Sequence, residues 1–350
     1  MNNVRRCAAG LAAAMVCATP LAAAQAADPA PAYKITTSIP LGPGERWDYV
    51  TFDPDSNRAF VAHGDHVTVV DLAKGAVAGD IGTFPGGTHG IGISTATGQG
   101  FTDDGKAGTV TAFDLKTLKP GKQIPAAPDA DGILFDPVTA HIFVIDGDSG
   151  SITVIDPKKD AAVATITVGA GLEAGVMDGK GRLYVDGAEK HEIVAIDTRN
   201  NRVLAHWPMP DCQRPHGIAV DAATRRVFAS CVNNVLIVVD AESGATIAKF
   251  PIGSGTDGAA FDPRRKLILS ANGDGTLSVI QERSAKSFVA LPSVTTAPSA
   301  RTIAIDERSG RLFLPAAEIA RIDPPATPGG RPRVVYAPGS LKLLVLDPQS

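Results

Sequence analysis

Short β-branched and aromatic runs, each closed by an acid and followed by a polar turn, recur along this chain at even intervals. The strongest copies are Tyr49-Val50-Thr51-Phe52-Asp53, Gly132-Ile133-Leu134-Phe135-Asp136, Gly217-Ile218-Ala219-Val220-Asp221, Gly258-Ala259-Ala260-Phe261-Asp262 and Thr302-Ile303-Ala304-Ile305-Asp306. Weaker copies end at Ser94 and Asp178, and the seven anchors stand 41, 42, 42, 43, 41 and 44 residues apart. Behind each anchor come a turn and a second run such as Arg58-Ala59-Phe60-Val61-Ala62. A third run closes on Asp71, Asp114, Asp156, Asp197 or Asp240, and a shorter fourth follows, such as Val163-Ala164-Thr165-Ile166. Four strand-like runs with Asp-Pro and Gly-rich turns, repeated every ~40–45 residues, predict one propeller blade per repeat. The expectation is an all-β, seven-bladed β-propeller with four-stranded blades, one domain over residues 27–350.

The seventh repeat ends at Leu343-Leu344-Val345-Leu346-Asp347 without a fourth strand, and Tyr33 to Ile39 supplies one at the other end of the mature chain. The ring is therefore expected to close by an N-terminal strand completing the last blade. The same repeat is interrupted, because Asp306 and Asp347 are 41 residues apart where the other blades take 18 to 20 between corresponding acids. This places an insertion at about 316–340. Loops of that length are functional or disordered; the alternatives are a lid that brings Arg321, Arg331 and Arg333 toward an anionic ligand and a plain surface excursion.

Phe60-Val61-Ala62-His63, Phe143-Val144-Ile145-Asp146, Tyr184-Val185-Asp186-Gly187 and Phe228-Ala229-Ser230-Cys231 precede runs of the type Val-x-Val-Ile-Asp. In these motifs the chain resembles the YVTN-repeat family of exported seven-bladed propellers, over nearly all of its mature length. The resemblance implies fold and export. It implies no single chemistry, since propellers host lactonases, lyases, cofactor binders and interaction modules alike.

Composition alters the picture chiefly at the N-terminus. Arg5 and Arg6, the apolar stretch from Cys7 to Leu21 and the small-x-small triplet Ala24-Gln25-Ala26 form a signal-peptide pattern over residues 1–26. Val16 before Cys17 fits lipid attachment poorly. No later stretch approaches the ~18 apolar residues of a membrane span, so no transmembrane segment is expected and the location is periplasmic or secreted. Removing the signal takes two Arg and no acid from 33 basic and 37 acidic residues, which argues against a phosphate-neutralising nucleic-acid binder. The expected partner is a small molecule or an envelope protein, and the expected state a monomer. Of four cysteines, Cys212 and Cys231 survive cleavage. Both fall on the same face of blade 5, in a compartment where disulfides persist, and are expected to pair.

In a propeller the loops entering the inner strands share a face with the loops joining second to third strands. Two positions before the first apolar residue of each inner strand stand Asp48, His89, Asp131, Glu173, His216, Asp257 and Arg301, all ionisable. The following residue is small in most blades, as in Gly90, Gly132, Ala174, Gly217 and Gly258, which suits strands crowded at an axis. Imidazole with carboxylate suits Zn, Mn, Fe or Cu, and carboxylate alone Ca or Mg, so a divalent metal ion is the cofactor to consider. Its candidate ligands are His89, Asp131, Glu173 and His216, with Trp47, Asp48, Asp257 and Arg301 as ligand-binding candidates. A polar lining is also what any water-filled channel mouth requires.

Three functions remain open from these residues. The first is a binding or accessory protein holding a ligand or metal at the mouth. The second is a metal-dependent hydrolase or lyase similar to propeller lactonases, with Glu173 or Asp131 and His216 or His89 as catalytic candidates. The third is an interaction scaffold using the opposite face, where Lys180, Arg182, Arg225, Arg226, Arg264, Arg265, Lys266, Arg308 and Arg311 cluster in turns. His63-Gly64-Asp65-His66 forms a further His/Asp group in blade 1. No Ser-His-Asp order, phosphate loop or nucleotide fingerprint is present.

Overall fold

The repeating acids are turn caps. Asp53 accepts hydrogen bonds from the Asp55 N–H and the Ser56 hydroxyl, Asp136 from the N–H groups of Val138 and Thr139, and Asp262 from those of Arg264 and Arg265. The acids closing the third strands repeat the device, with Asp71 capping Ala73 and Lys74 and Asp240 capping Glu242 and Ser243. Each carboxylate satisfies donors that a tight turn leaves without backbone partners. The regular spacing of acids in the sequence is thus a regular spacing of turns.

The computed structural model describes Met1 and residues 32–349, apart from 45, 170 and 326–331. The signal-peptide pattern over 1–26, with Cys7 and Cys17, lies outside the described residues save for Met1. The strands form seven four-stranded antiparallel sheets and one two-stranded hairpin, with no helix among the described residues and hence none long and apolar enough to cross a membrane. Inner strands pack each against the next, from Val50–Asp53 round to Ala304–Asp306 and back. Seven apolar clusters lie between successive blades, the last joining blade 7 to blade 1 through Phe313, Leu343, Val50 and Val61. The chain is a closed seven-bladed propeller.

The closing strand Tyr33–Pro40 pairs antiparallel with Lys342–Pro348, from Tyr33 opposite Pro348 to Pro40 opposite Lys342. Tyr33 is fully buried, and its hydroxyl donates to Asp262 Oδ2 at 2.9 Å, tying the N-terminal strand to the turn cap of blade 6. On the turn face most of the basic residues are committed to neighbouring blades. Lys180 donates to the Ala222 carbonyl, Lys266 pairs with Asp221 at 2.9 Å, Arg264 binds the Arg308 carbonyl, and Arg308 binds that of Pro54. These bonds staple blade to blade, which gives the basic face a structural task. The blade-7 insertion contains the hairpin Ile319–Asp323 with Arg333–Tyr336, set between the second strand Arg311–Ala316 and the third, Lys342–Pro348.

Crowding at the axis explains the small residue after each ionisable position. A Cβ on Gly90 would lie 2.1 Å from the Asp131 carbonyl oxygen and 2.7 Å from the Ile133 nitrogen, so only a bare Cα lets blade 2 approach blade 3. Cys212 and Cys231 are joined by a disulfide across 19 residues, bracing the loop that enters blade 5 four residues before His216. A loop of that size stabilises by about 3 kcal/mol. The Cys212→Ser/Cys231→Ser double variant should lower the unfolding free energy in urea by that order, and an unchanged midpoint and slope would contradict it.

Candidate functional site

Ring closure brings the seven ionisable residues to one mouth, each half-buried, and splits them into two neighbourhoods. In the first, His216 Nδ1 lies 3.3 Å from Asp257 Oδ1 and 3.7 Å from Glu173 Oε1. Glu173, His216 and Asp257 each offer one ligand atom within 4.8 Å of the others, and they are the one group of three or more metal-ligating side chains so placed among the described residues. Arg301 closes this side. Its Nε donates to Asp257 Oδ2 at 2.7 Å, its terminal nitrogen to the Trp47 carbonyl at 3.1 Å, and its guanidinium lies over the Trp47 ring at 5.1 Å.

The second neighbourhood holds Asp48, His89 and Asp131. His89 Nδ1 is bonded at 2.8 Å to Asp103, a fully buried carboxylate that also accepts the N–H groups of His89 and Gly90. His89 and Asp131 are not within the three-residue cluster. Trp47 is 4% exposed and packed between Arg301 and Tyr336, at 4.7 Å from the latter ring, so it caps the core and presents no open face for a ligand.

Electrostatics follow from burial and crowding. Burial, then the Asp257 charge, pushes Asp48 up to about 7 against the pull of Arg301. Burial also carries Glu173 to about 7 in spite of His216. Asp131 stands well above the carboxylate range through burial and the charges of Asp48 and Glu173. Asp257 goes the other way: burial opposes its charge, but the His216 bond and Arg301 outweigh it and hold it ionised. Burial likewise opposes charge on His89, and the Asp103 bond overrides it to raise His89 to about 9. His216 is raised too, because its bond to Asp257 and the charge of Glu173 outweigh burial.

Three participants were not singled out in the sequence as part of this site. Tyr49 reaches from blade 1 across the axis to pack against the cluster of blades 4 and 5 that contains Ala174 and Ile218. The charges of Asp131, Glu173, Asp48 and Asp257 all act on it after burial, so its hydroxyl stays protonated in the middle of the acids. Tyr49 thereby floors the mouth, and beneath it lies a cavity of about 400 Å³ lined by inner-strand side chains such as Ile91, Ile133, Val176 and Ile303. Its signal was a bulky residue at the position that is small elsewhere. Asp103 and Asp186 occupy the penultimate place of the second strand, where blades 1, 3 and 6 carry Ala62, Ile145 and Ala271. Asp186 is fully buried, neither carboxyl oxygen has a hydrogen-bond partner among the described residues, and burial with the Glu173 charge keeps it protonated.

No family model matches the chain, and no curated protein matches it. Among solved structures, the hydrazine synthase of Kuenenia stuttgartiensis is similar, with a TM-score of 0.65 at 14% identity, covering 85% of this chain and 96% of that one. At that identity the likeness carries the propeller fold and no chemistry.

Proposed function

We propose that the protein binds one divalent cation at the channel mouth through Glu173, His216 and Asp257, as an exported binding or accessory protein for a small ligand. The observation that carries this reading is a charge deficit next to a ready ligand set. Six carboxylates at the mouth (Asp48, Asp103, Asp131, Glu173, Asp186 and Asp257) face four cationic groups, Arg214, Arg301, His89 and His216, so full ionisation leaves two negative charges. One divalent ion balances them, and imidazole with two carboxylates suits Mn, Fe or Zn. Such an ion would supply a Lewis-acid centre for an oxygen-bearing ligand. Arg301 orients Asp257, and Tyr49 closes the channel below. Export is supported by the N-terminal pattern and by the disulfide, and the repeat motifs support a YVTN-type propeller.

A hydrolase or lyase is the second reading of the same residues. Asp131 favours it, because its buried Oδ1 has no hydrogen-bond partner among the described residues and its carboxyl, raised well above the usual range, suits proton transfer. Hydrolysis of a lactone panel that disappears with chelator would select it over simple binding.

The pH dependence of stability tests the charge deficit. Folded Asp48 and Glu173 keep their protons to about 7, whereas the unfolded chain releases them near 3.8 and 4.5. The native state binds more protons across that window, so stability falls as pH rises through it. His89, raised from 6.5 to about 9, continues the fall. Asp146, raised by burial to about 6, and Glu282, raised to about 7, add a fall that no cation at the mouth relieves. The readout is therefore a difference: chelator-treated protein should lose thermal midpoint between the carboxylate range and pH of about 9, and Mn²⁺ should restore most of the loss above neutrality. Curves that superpose with and without the ion would defeat the proposal.

A further inference from the structure

On the opposite, turn-bearing face, a cavity of about 450 Å³ lies between the turns of blades 4 and 5. Tyr184, Leu204 and Val220 give it an apolar wall, and Leu204 is 41% exposed there. Four cations line the same cavity, Lys180, Arg182, Arg199 and Arg225, against three carboxylates. Each carboxylate is already engaged. Asp178 accepts the N–H groups of Lys180 and Arg182, and Asp197 those of Arg199 and Asn200. Glu242 is shared between Arg182 at 3.2 Å and Arg225 at 3.4 Å. The groove therefore holds one positive charge in excess.

Lys180 and Arg199 are the cations left to carry it. Arg199 makes no ion pair among the described residues, Asp197 pairing instead with Arg202 at 3.7 Å. Its guanidinium lies against Gly181, where a Cβ would meet Nη1 at 2.0 Å and Cζ at 2.6 Å, so the glycine seats Arg199 next to Lys180. Lys180 Nζ gives one proton to the Ala222 carbonyl at 2.6 Å and keeps two. The matching groove between blades 1 and 2 shows that stapling the blades does not require these groups. There Arg58 donates to the Leu115 carbonyl as Arg182 does to that of Ala241. Yet Asp55 stands where blade 4 has Lys180, and Ala73 where it has Arg199. That groove is lined by three acids, Asp53, Asp55 and Asp71, and by two cations, Arg58 and Lys116. A single surplus cation beside an exposed apolar wall suits a monoanion with an apolar body.

We propose that the groove between blades 4 and 5 binds an amphipathic organic monocarboxylate, with its carboxylate held by Lys180 and Arg199 and its aliphatic or aromatic body laid along Leu204, Val220 and Tyr184. Part of the basic face then has a task beyond stapling. The site stands apart from the acidic mouth and requires no metal ion.

Calorimetric titration of the chelator-treated protein tests this apart from any ion at the mouth. The probes are 3-phenylpropanoate and hexanoate, set against their uncharged amides and against acetate, which keeps the charge without the body. At least one of the two acids should bind saturably with Kd of about 1 mM or tighter. Its amide and acetate should each bind more weakly by about tenfold or more, the first for want of charge and the second for want of apolar contact. Arg199→Ala removes a guanidinium that bonds to nothing among the described residues, and Leu204→Ala trims an exposed side chain. Each should weaken the acid severalfold with an unchanged thermal midpoint. No saturable binding of either acid, amides that bind as well as the acids, or affinity untouched by both variants would each overturn the proposal.

Discussion

Replacing His216 with alanine is expected to lower the affinity of the channel mouth for a divalent cation by about a hundredfold or more, close to 2.7 kcal/mol. His216 sits between Glu173 and Asp257, 3.7 and 3.3 Å from their oxygens. Without it the two acids lose both the nitrogen ligand and the group that holds them at a common point. His89→Ala is the contrasting variant, since His89 is bonded to Asp103 and stands outside the three-residue cluster. It should reduce stability while leaving most of the cation affinity. Equilibrium dialysis against Mn²⁺ measures both, and equal losses in the two variants would show that the ion, if bound, is held by the whole ring.

Arg301→Ala should move stability and cation affinity in opposite directions. Arg301 and Asp257 are joined at 2.7 Å, with side chains only 29% and 20% exposed. Removing one partner of such a pair costs about 3–5 kcal/mol when fully buried, and the residual exposure here favours the lower end, about 3 kcal/mol. The variant also uncovers Trp47, over which the guanidinium lies. At the same time it strips a positive charge from a mouth already short of two, so a divalent ion should bind more tightly and recover a larger share of thermal midpoint than in the parent. Arg301→Lys keeps the charge yet cannot span Asp257, the Trp47 carbonyl and the Trp47 ring together; it should fall between the two in both measurements. A variant that loses stability and cation affinity alike would contradict the assignment of Arg301 as a counter-ion.

The propeller was legible because its repeat is a repeat of turns, and turns are local. Asp53, Asp136 and Asp262 cap N–H groups two or three residues away, so their spacing registers in the sequence without knowledge of the whole molecule. The closing strand was legible for a related reason: blade 7 lacked a fourth run and the segment Tyr33 to Ile39, ahead of blade 1, held a spare one. The membership of the mouth was legible as seven equivalent positions, but its pairing was not. Which neighbour His89 chooses depends on Asp103, which reaches the mouth only through strand pairing within blade 2. Tyr49 becomes the floor only once blades 4 and 5 stand opposite blade 1. The insertion was visible as surplus length near 316–340, whereas its position against His63 and Arg46 depends on ring closure.

Diffraction from crystals grown with Mn²⁺, recorded with anomalous signal, tests the central claim most directly. The account predicts one strong anomalous peak at the mouth within about 2.0–2.3 Å of a carboxylate oxygen of Glu173, an imidazole nitrogen of His216 and a carboxylate oxygen of Asp257. A mouth without a peak at saturating Mn²⁺, or a peak held instead by Asp48 and Asp131 with His216 still bonded to Asp257, would contradict it.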